Sequence, residues 1–322
     1  MRDVKQKGKV KVMADKPLVS VVIPTYNGHK TIVQCLETVT NQQTDFPYEV
    51  IVVDSSPEPV EPLIKPRFPQ VKYVHSKQRL SSAEARNLGI ELAKGDFIAF
   101  VDQDVLLPNY WLACIIKRLQ ESDIVGVGCA IANSNKWSIP AWIVHLTEFP
   151  RSLPSKHLCF VESFPTAACC YRKSVFQDTR FPPTLGAGGD DPALNITLFR
   201  KGMKLLHDPT IVVKHPTRSR WKDVLSYPFK LGKADGFCGC QSETRATLFV
   251  RFPVLLFAYP FLRTVYSGWH CFRSGLKYGL LFTMLSPFIF VAYCAWAIGI
   301  YLGVREFQRR KEVGQERTEG GR

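Results

Sequence analysis

From position 17 onward, short apolar runs rich in Val and Ile alternate with stretches whose apolar residues recur at helical spacing. The runs at 18–24 (LVSVVIP), 48–54 (YEVIVVD), 71–75 and 96–101 (DFIAFV) read as strands buried on both faces. Between them, 30–41, 82–94 and 108–121 read as helices. This rhythm predicts a parallel sheet covered by helices.

Beyond Ser122 the pattern is less regular. Strands are expected at 124–132, around 166–172 and at 205–214, with an aromatic-rich connection over 140–157. A glycine-rich stretch, 186–189, leads into Asp190, Asp191 and a helical pattern through Gly202. The 27 residues 278–304 contain no charged side chain. At about 1.5 Å per residue such a helix outreaches a bilayer core of roughly 30 Å, so it reads as a transmembrane helix kinked at Pro287. The apolar segment 248–262 is broken by Arg251, Pro253 and Pro260 and reads as interfacial or re-entrant rather than spanning. The expected organisation is a basic tail (1–16), a catalytic domain (17–225), a basic juxtamembrane segment (226–277), the span (278–304) and a polar tail (305–322).

Composition narrows the function class. Of 322 residues, 46% are hydrophobic, enough to offset the entropy of ordering a core, so a disordered basic protein is excluded. The ten cysteines lack zinc-ribbon pairing and read as reduced thiols in a cytosolic setting. No signal-peptide pattern opens the chain. The net charge of +14 is uneven: residues 17–199 carry −2 and 200–277 carry +10. The excess therefore sits where the chain nears the bilayer, and points to an anionic membrane face rather than to nucleic acid. Basic residues flank the span on both sides and leave its orientation open.

The strongest chemical signal is Asp102-Gln103-Asp104 directly after the strand DFIAFV. Ligands bind at the carboxyl ends of strands in such sheets, and two carboxylates there suit a hard divalent cation, Mn²⁺ or Mg²⁺, held together with substrate phosphates. An aspartyl phosphohydrolase would place Thr where Leu106 stands.

Four stretches in order, VSVVIPTYNG, EVIVVDSS, SSAEARNLGIELAKGDFIAFVDQD and GAGGDDPALNITLFRKGMKLLHDP, make the chain resemble the family-2 glycosyltransferases of the GT-A fold over about 17–221. The resemblance implies a mixed, mostly parallel sheet with helices on both faces. It implies that Pro24, Thr25, Tyr26 and Asn27 contact the nucleotide and that Asp54 contacts the base, with Ser55 departing from the family's second Asp. Arg86, with Asn87 beside it, is placed to reach the diphosphate, its planar fork suiting paired oxygen contacts; a structural ion pair is the alternative. Asp54 has an alternative as a helix cap. Gln103 falls within the donor site. The resemblance makes Asp191 the general base and gives Asp190 a role at the acceptor or in the loop, against simple stabilisation by the helix dipole. His215 could join Asp102 and Asp104 on the metal. The stretch from Thr217 to Trp221 is similar to the Q-x-x-R-W of processive synthases, with Thr217 in place of Gln, which argues against a polymerase; Arg220 would meet phosphate and Trp221 the acceptor. Cys169 and Cys170 read as core.

These readings imply an inverting transferase that moves a sugar from a nucleotide diphosphate, with uridine favoured, to a hydroxyl of a lipid-linked acceptor. It would be anchored in the inner or plasma membrane with its catalytic domain cytoplasmic. The alternatives are transfer to a polyprenyl phosphate, which needs no base, and a non-catalytic scaffold that senses nucleotide sugars.

Overall fold

The computed structural model describes residues 16–121, 123–182, 188–241, 252 and 254–319. The basic tail up to residue 15, residues 186 and 187 of the glycine-rich stretch, and 248–251 and 253 of the interfacial segment lie outside them.

Eight strands form one sheet in the order β3-β2-β1-β4-β7-β5-β8-β6. Strands β1 (Val19–Thr25), β2 (Tyr48–Asp54), β3 (Lys72–His75) and β4 (Phe97–Val101) are mutually parallel. Strand β7 (Ala168–Arg172) runs antiparallel between β4 and β5 (Ile124–Asn133), which pairs in parallel with β8 (Lys204–His215). The two-residue β6 (Cys159–Phe160) closes the edge. The sheet is thus mixed and mostly parallel, as expected.

Alternation along each strand splits the core. Val19, Val21 and Ile23 face the side of α1 (Ile32–Thr40) and α4 (Trp111–Gln120), while Val22, Ile51 and Val53 face α3 (Ser82–Leu92). The short α2 (Glu61–Ile64) packs with the first group. The order of strands reverses between β1 and β4, and there the carboxyl ends open the crevice in which sheets of this kind bind ligands.

One expectation is corrected. Within 140–157, taken as a connection, Ile139–Glu148 forms helix α5. Its Pro140 falls in the first turn, where a missing N–H costs nothing, and the Ser138 side chain accepts from the Ala141 N–H at 3.2 Å. Helix α6 (Asp190–Arg200) begins with Asp190 and has Gly189 as its N-cap.

Among the described residues, three helices follow: α7 (Asp223–Gln241), α8 (Leu255–Ser274) and α9 (Leu276–Glu319). Within α9, Leu276–Glu312 is long and apolar enough to cross a membrane. One face of α9 touches the rest of the chain along its length. Tyr278 meets Trp142 at 6.5 Å between ring centres, the Tyr293 hydroxyl donates to the Thr147 carbonyl at 3.1 Å, and Phe307 meets Phe237 at 5.7 Å. The opposite face, with Leu280, Met284, Phe288 and Val291, is exposed.

Candidate active site

The carboxyl ends of β1 and β4 put Pro24, Thr25 and Tyr26 opposite Asp102, Gln103 and Asp104 around a cavity of about 670 Å³. Gln103 ties the two ends together, accepting from the Tyr26 N–H at 3.0 Å and donating to the Tyr26 carbonyl at 3.1 Å. Arg79 lies over the Tyr26 ring at 4.6 Å and lines the same cavity. A half-buried ring and an exposed cation of this kind suit a base and a phosphate.

Helix α3 delivers Arg86 to the floor. A capping box fixes the helix start: Ser81 Oγ accepts from the Glu84 N–H at 3.2 Å while Glu84 Oε2 accepts from the Ser81 N–H at 2.7 Å. One turn later the buried Arg86 reaches Asp190 at 2.5 Å, Asp102 at 2.8 Å and Asp191 at 3.6 Å. One guanidinium therefore gathers three carboxylates contributed by β4 and α6. Burial pushes the Asp190 carboxyl up, Asp191 and Asp102 push it further, and Arg86 offsets only part. Asp102 is also raised by burial, against the pull of Arg86.

Gly188 and Gly189 bring Asp191 into place, both with left-handed backbone (φ 95° and 84°), a turn other residues rarely adopt. Thr166, just before β7, then holds the carboxylate by two bonds, N–H to Oδ2 at 2.9 Å and Oγ1 to Oδ1 at 2.6 Å. Asp191 lines both the first cavity and a second one of about 440 Å³, which runs between the sheet domain and α7, α8 and α9. Glu148 at the end of α5 also lines both; burial pushes its carboxyl up to about 8, although it accepts from the Tyr227 hydroxyl at 3.0 Å.

The donor set fits a divalent cation in kind. His215 Nε2 lies 3.6 Å from Asp104 Oδ1, His215 Nδ1 is buried without a partner, and Asp102 lines the same cavity. Two carboxylates and an imidazole suit Mn²⁺ or Mg²⁺. Among the described residues no three such side chains already converge at ligand distance.

Several expected donor contacts are not brought to this cavity. Asp54 is fully buried, and its oxygens accept from the Ser56 N–H and hydroxyl, the Val60 N–H and the Tyr73 hydroxyl. Burial would raise it, yet these bonds outweigh that and hold it below the usual carboxylate range. Asp54 thus builds the loop after β2, and the neighbouring Ser55 lines the cavity. Asn87 exchanges two bonds with the Phe181 backbone, and the Asn27 N–H donates to Ser56 Oγ at 2.8 Å. Arg220 and Trp221 line neither cavity; the Trp221 ring lies 6.0 Å from Phe288 on α9. Sequence reasoning missed Arg79, Thr166 and Glu148. Their partners lie far along the chain, and only the motif neighbourhood of Arg79 offered a signal.

Residues 20–180 match the family model described as glycosyl transferase family 2. A dolichyl N-acetyl-alpha-D-glucosaminyl phosphate 3-beta-D-2,3-diacetamido-2,3-dideoxy-beta-D-glucuronosyltransferase of Methanococcus voltae is 29% identical over 244 residues, covering 68% of this chain and 73% of that protein. An uncharacterized glycosyltransferase of Rickettsia bellii is 32% identical over 180 residues, which are 53% of this chain but 25% of that much longer protein. The mannosyltransferase PcManGT of Pyrobaculum calidifontis, solved in complex with GDP-Man and Mn²⁺, superposes with a TM-score of 0.61 at 18% identity, over 90% of this chain and 88% of that one. At that identity the likeness is one of fold.

Proposed function

Since this chain belongs to glycosyl transferase family 2, we propose that it is an inverting transferase whose donor, a nucleotide diphosphate sugar, occupies the larger cavity and whose acceptor hydroxyl enters by the smaller. The observation that carries this reading is the position of Asp191, held by Thr166 and shared by both cavities. A base so placed takes the proton of the acceptor hydroxyl as that oxygen attacks the anomeric carbon. The bond from that carbon to the diphosphate oxygen breaks on the opposite face, and the nucleoside diphosphate leaves with the electron pair. Configuration inverts in one displacement.

Asp102, Asp104 and His215 would hold a divalent cation, which when bound neutralises charge on the departing diphosphate. Arg86 keeps the acidic groups apart from one another's repulsion and in register. Tyr26, Ser55 and Arg79 receive the nucleotide. The family resemblance favours uridine as the base, and the GDP-Man in PcManGT supports a nucleotide diphosphate sugar as the donor class.

We further read the acceptor as lipid-linked. The name of the Methanococcus relative supports it, and so does the second cavity, walled on one side by the apolar helices α8 and α9. Membrane attachment would run through their exposed faces, with α9 held lengthwise against the catalytic domain, and the ten free cysteines suit a reducing, cytoplasmic side.

Asp191→Asn tests the base. Transfer to a hydroxyl acceptor should fall at least about 100-fold, with nucleotide-sugar binding kept. Undiminished turnover, as for an already anionic polyprenyl phosphate, would remove Asp191 from the chemistry.

A further inference from the structure

The second cavity contains a cation that the transfer chemistry above does not use. Arg263, on α8, lines it together with Asp191. Its Nε is buried with no hydrogen-bond partner. What surrounds the guanidinium is aromatic: the rings of Tyr293, Tyr266, Trp296 and Tyr259 lie 5.4, 5.6, 5.7 and 6.0 Å from its central carbon. Asp235, which α7 presents to the same cavity, attracts Arg263 through space, but its hydrogen bond is to the Trp296 indole N–H at 3.0 Å. Rings stabilise a cation but leave its N–H groups unanswered. A guanidinium held this way has a carboxylate in its field but no anion hydrogen-bonded to its fork, and burying such a fork costs free energy that a bound oxyanion recovers.

The chemistry of that anion follows from the cavity and from the helix that carries Arg263. Outside the cavity lining, the same helix exposes Phe257, Phe261, Leu262 and Val265, a surface suited to hydrocarbon. Asp191 stands on the other wall. A molecule with a lipid chain, an anionic group and a sugar hydroxyl would find a partner for each on this helix and in this cavity. We propose that Arg263 is the binding subsite for a phosphate group of the acceptor, the group joining its lipid to its sugar. This rests on the transfer reading above, and names within it the acceptor's class. The subsite positions the acceptor and touches no reacting atom.

Titration calorimetry on the full chain in uncharged detergent tests it with three probes: farnesyl phosphate, farnesol and inorganic phosphate. Wild type should bind farnesyl phosphate at least tenfold more tightly than farnesol. Arg263→Gln should erase that preference, Arg263→Lys should keep part of it, and farnesol affinity should be unchanged in both. Equal affinities of wild type for farnesyl phosphate and farnesol overturn the proposal, whether or not the variants fold. So does a folded Arg263→Gln that still prefers the phosphate. Inorganic phosphate binding as tightly as farnesyl phosphate would assign the subsite to free phosphate and overturn the lipid-linked form. Stabilisation of the same samples by nucleotide sugar with Mn²⁺ is read in parallel: its absence in wild type strikes the transferase reading, whereas its presence alongside equal lipid affinities strikes only the subsite.

Discussion

Arg86 shows what a single residue contributes here. Its motif neighbourhood pointed to a diphosphate contact, and a structural ion pair was the competing reading. The structure shows the ion pairs, with the guanidinium binding three carboxylates, and Arg86 also lines the larger cavity. Asp102, Asp104 and Asp191 were legible because each follows an unmistakable local pattern, a buried strand or paired glycines. Asp54 and Asn87 were not, because their roles depend on Tyr73, Val60 and Phe181, partners that only the fold supplies. Buried histidine carries a prediction at the same scale. His207 is buried on β8, and burial holds its pKa down to about 4, against a hydrogen bond that raises it. It stays neutral in the folded chain while the unfolded chain takes up a proton below about 6.5. Folding therefore loses stability at this site as pH falls from about 6.5 to about 4, by about 1.4 kcal/mol per pH unit. Comparing melting of wild type and His207→Gln across that range cancels the other titrating groups. The wild type should lose ground to the variant on acidification, and a constant difference would contradict the assignment.

At the scale of elements, the first four strands and three long helices were readable to within a few residues because apolar period and burial agree. Strand β7 was placed, but its antiparallel insertion was not, since pairing direction is settled between β4 and β5 and not within the strand. Helix α5 was hidden by Pro140 and by aromatic residues that look like a connection. Helix α9 runs past the apolar segment because Glu306 pairs with Arg309 and Arg310 one turn on, carrying the helix into polar sequence. Its seam with α7 rests on small residues. A Cβ at Gly299 would fall on the Phe229 carbonyl, and one at Gly303 on the Lys233 carbonyl, each inside van der Waals contact. Gly299→Val should cost about 1–3 kcal/mol, lower the melting temperature and open the α7–α9 seam to protease. An unchanged melting curve would show that these helices are not docked as described.

For the molecule as a whole, the +14 net charge divides usefully. Residues 17–199, which supply most of the lining of the larger cavity, are slightly acidic, while 200–277, which includes α7 and all of α8, holds most of the excess. Exposed apolar residues of α8 stand within this basic stretch of sequence, a composition that suits anionic lipid. What sequence could not supply was the relation of α7, α8 and α9 to the candidate site. Helices α7, α8 and α9 wall the second cavity, and Arg310 of α9 also lines the first. These three helices are therefore a wall of the site rather than an appendage to it. The central claim is that a nucleotide diphosphate sugar binds the larger cavity with a divalent cation on Asp102, Asp104 and His215. Thermal melting of the full chain against a panel of UDP- and GDP-sugars, with and without Mn²⁺, tests it most directly. At about 100 times its dissociation constant a true donor adds about 2.7 kcal/mol. At least one sugar nucleotide should raise the melting temperature only with the metal, and Asp104→Asn should abolish that rise. A panel in which none stabilises wild type, or an undiminished metal-dependent rise in Asp104→Asn, would contradict the account.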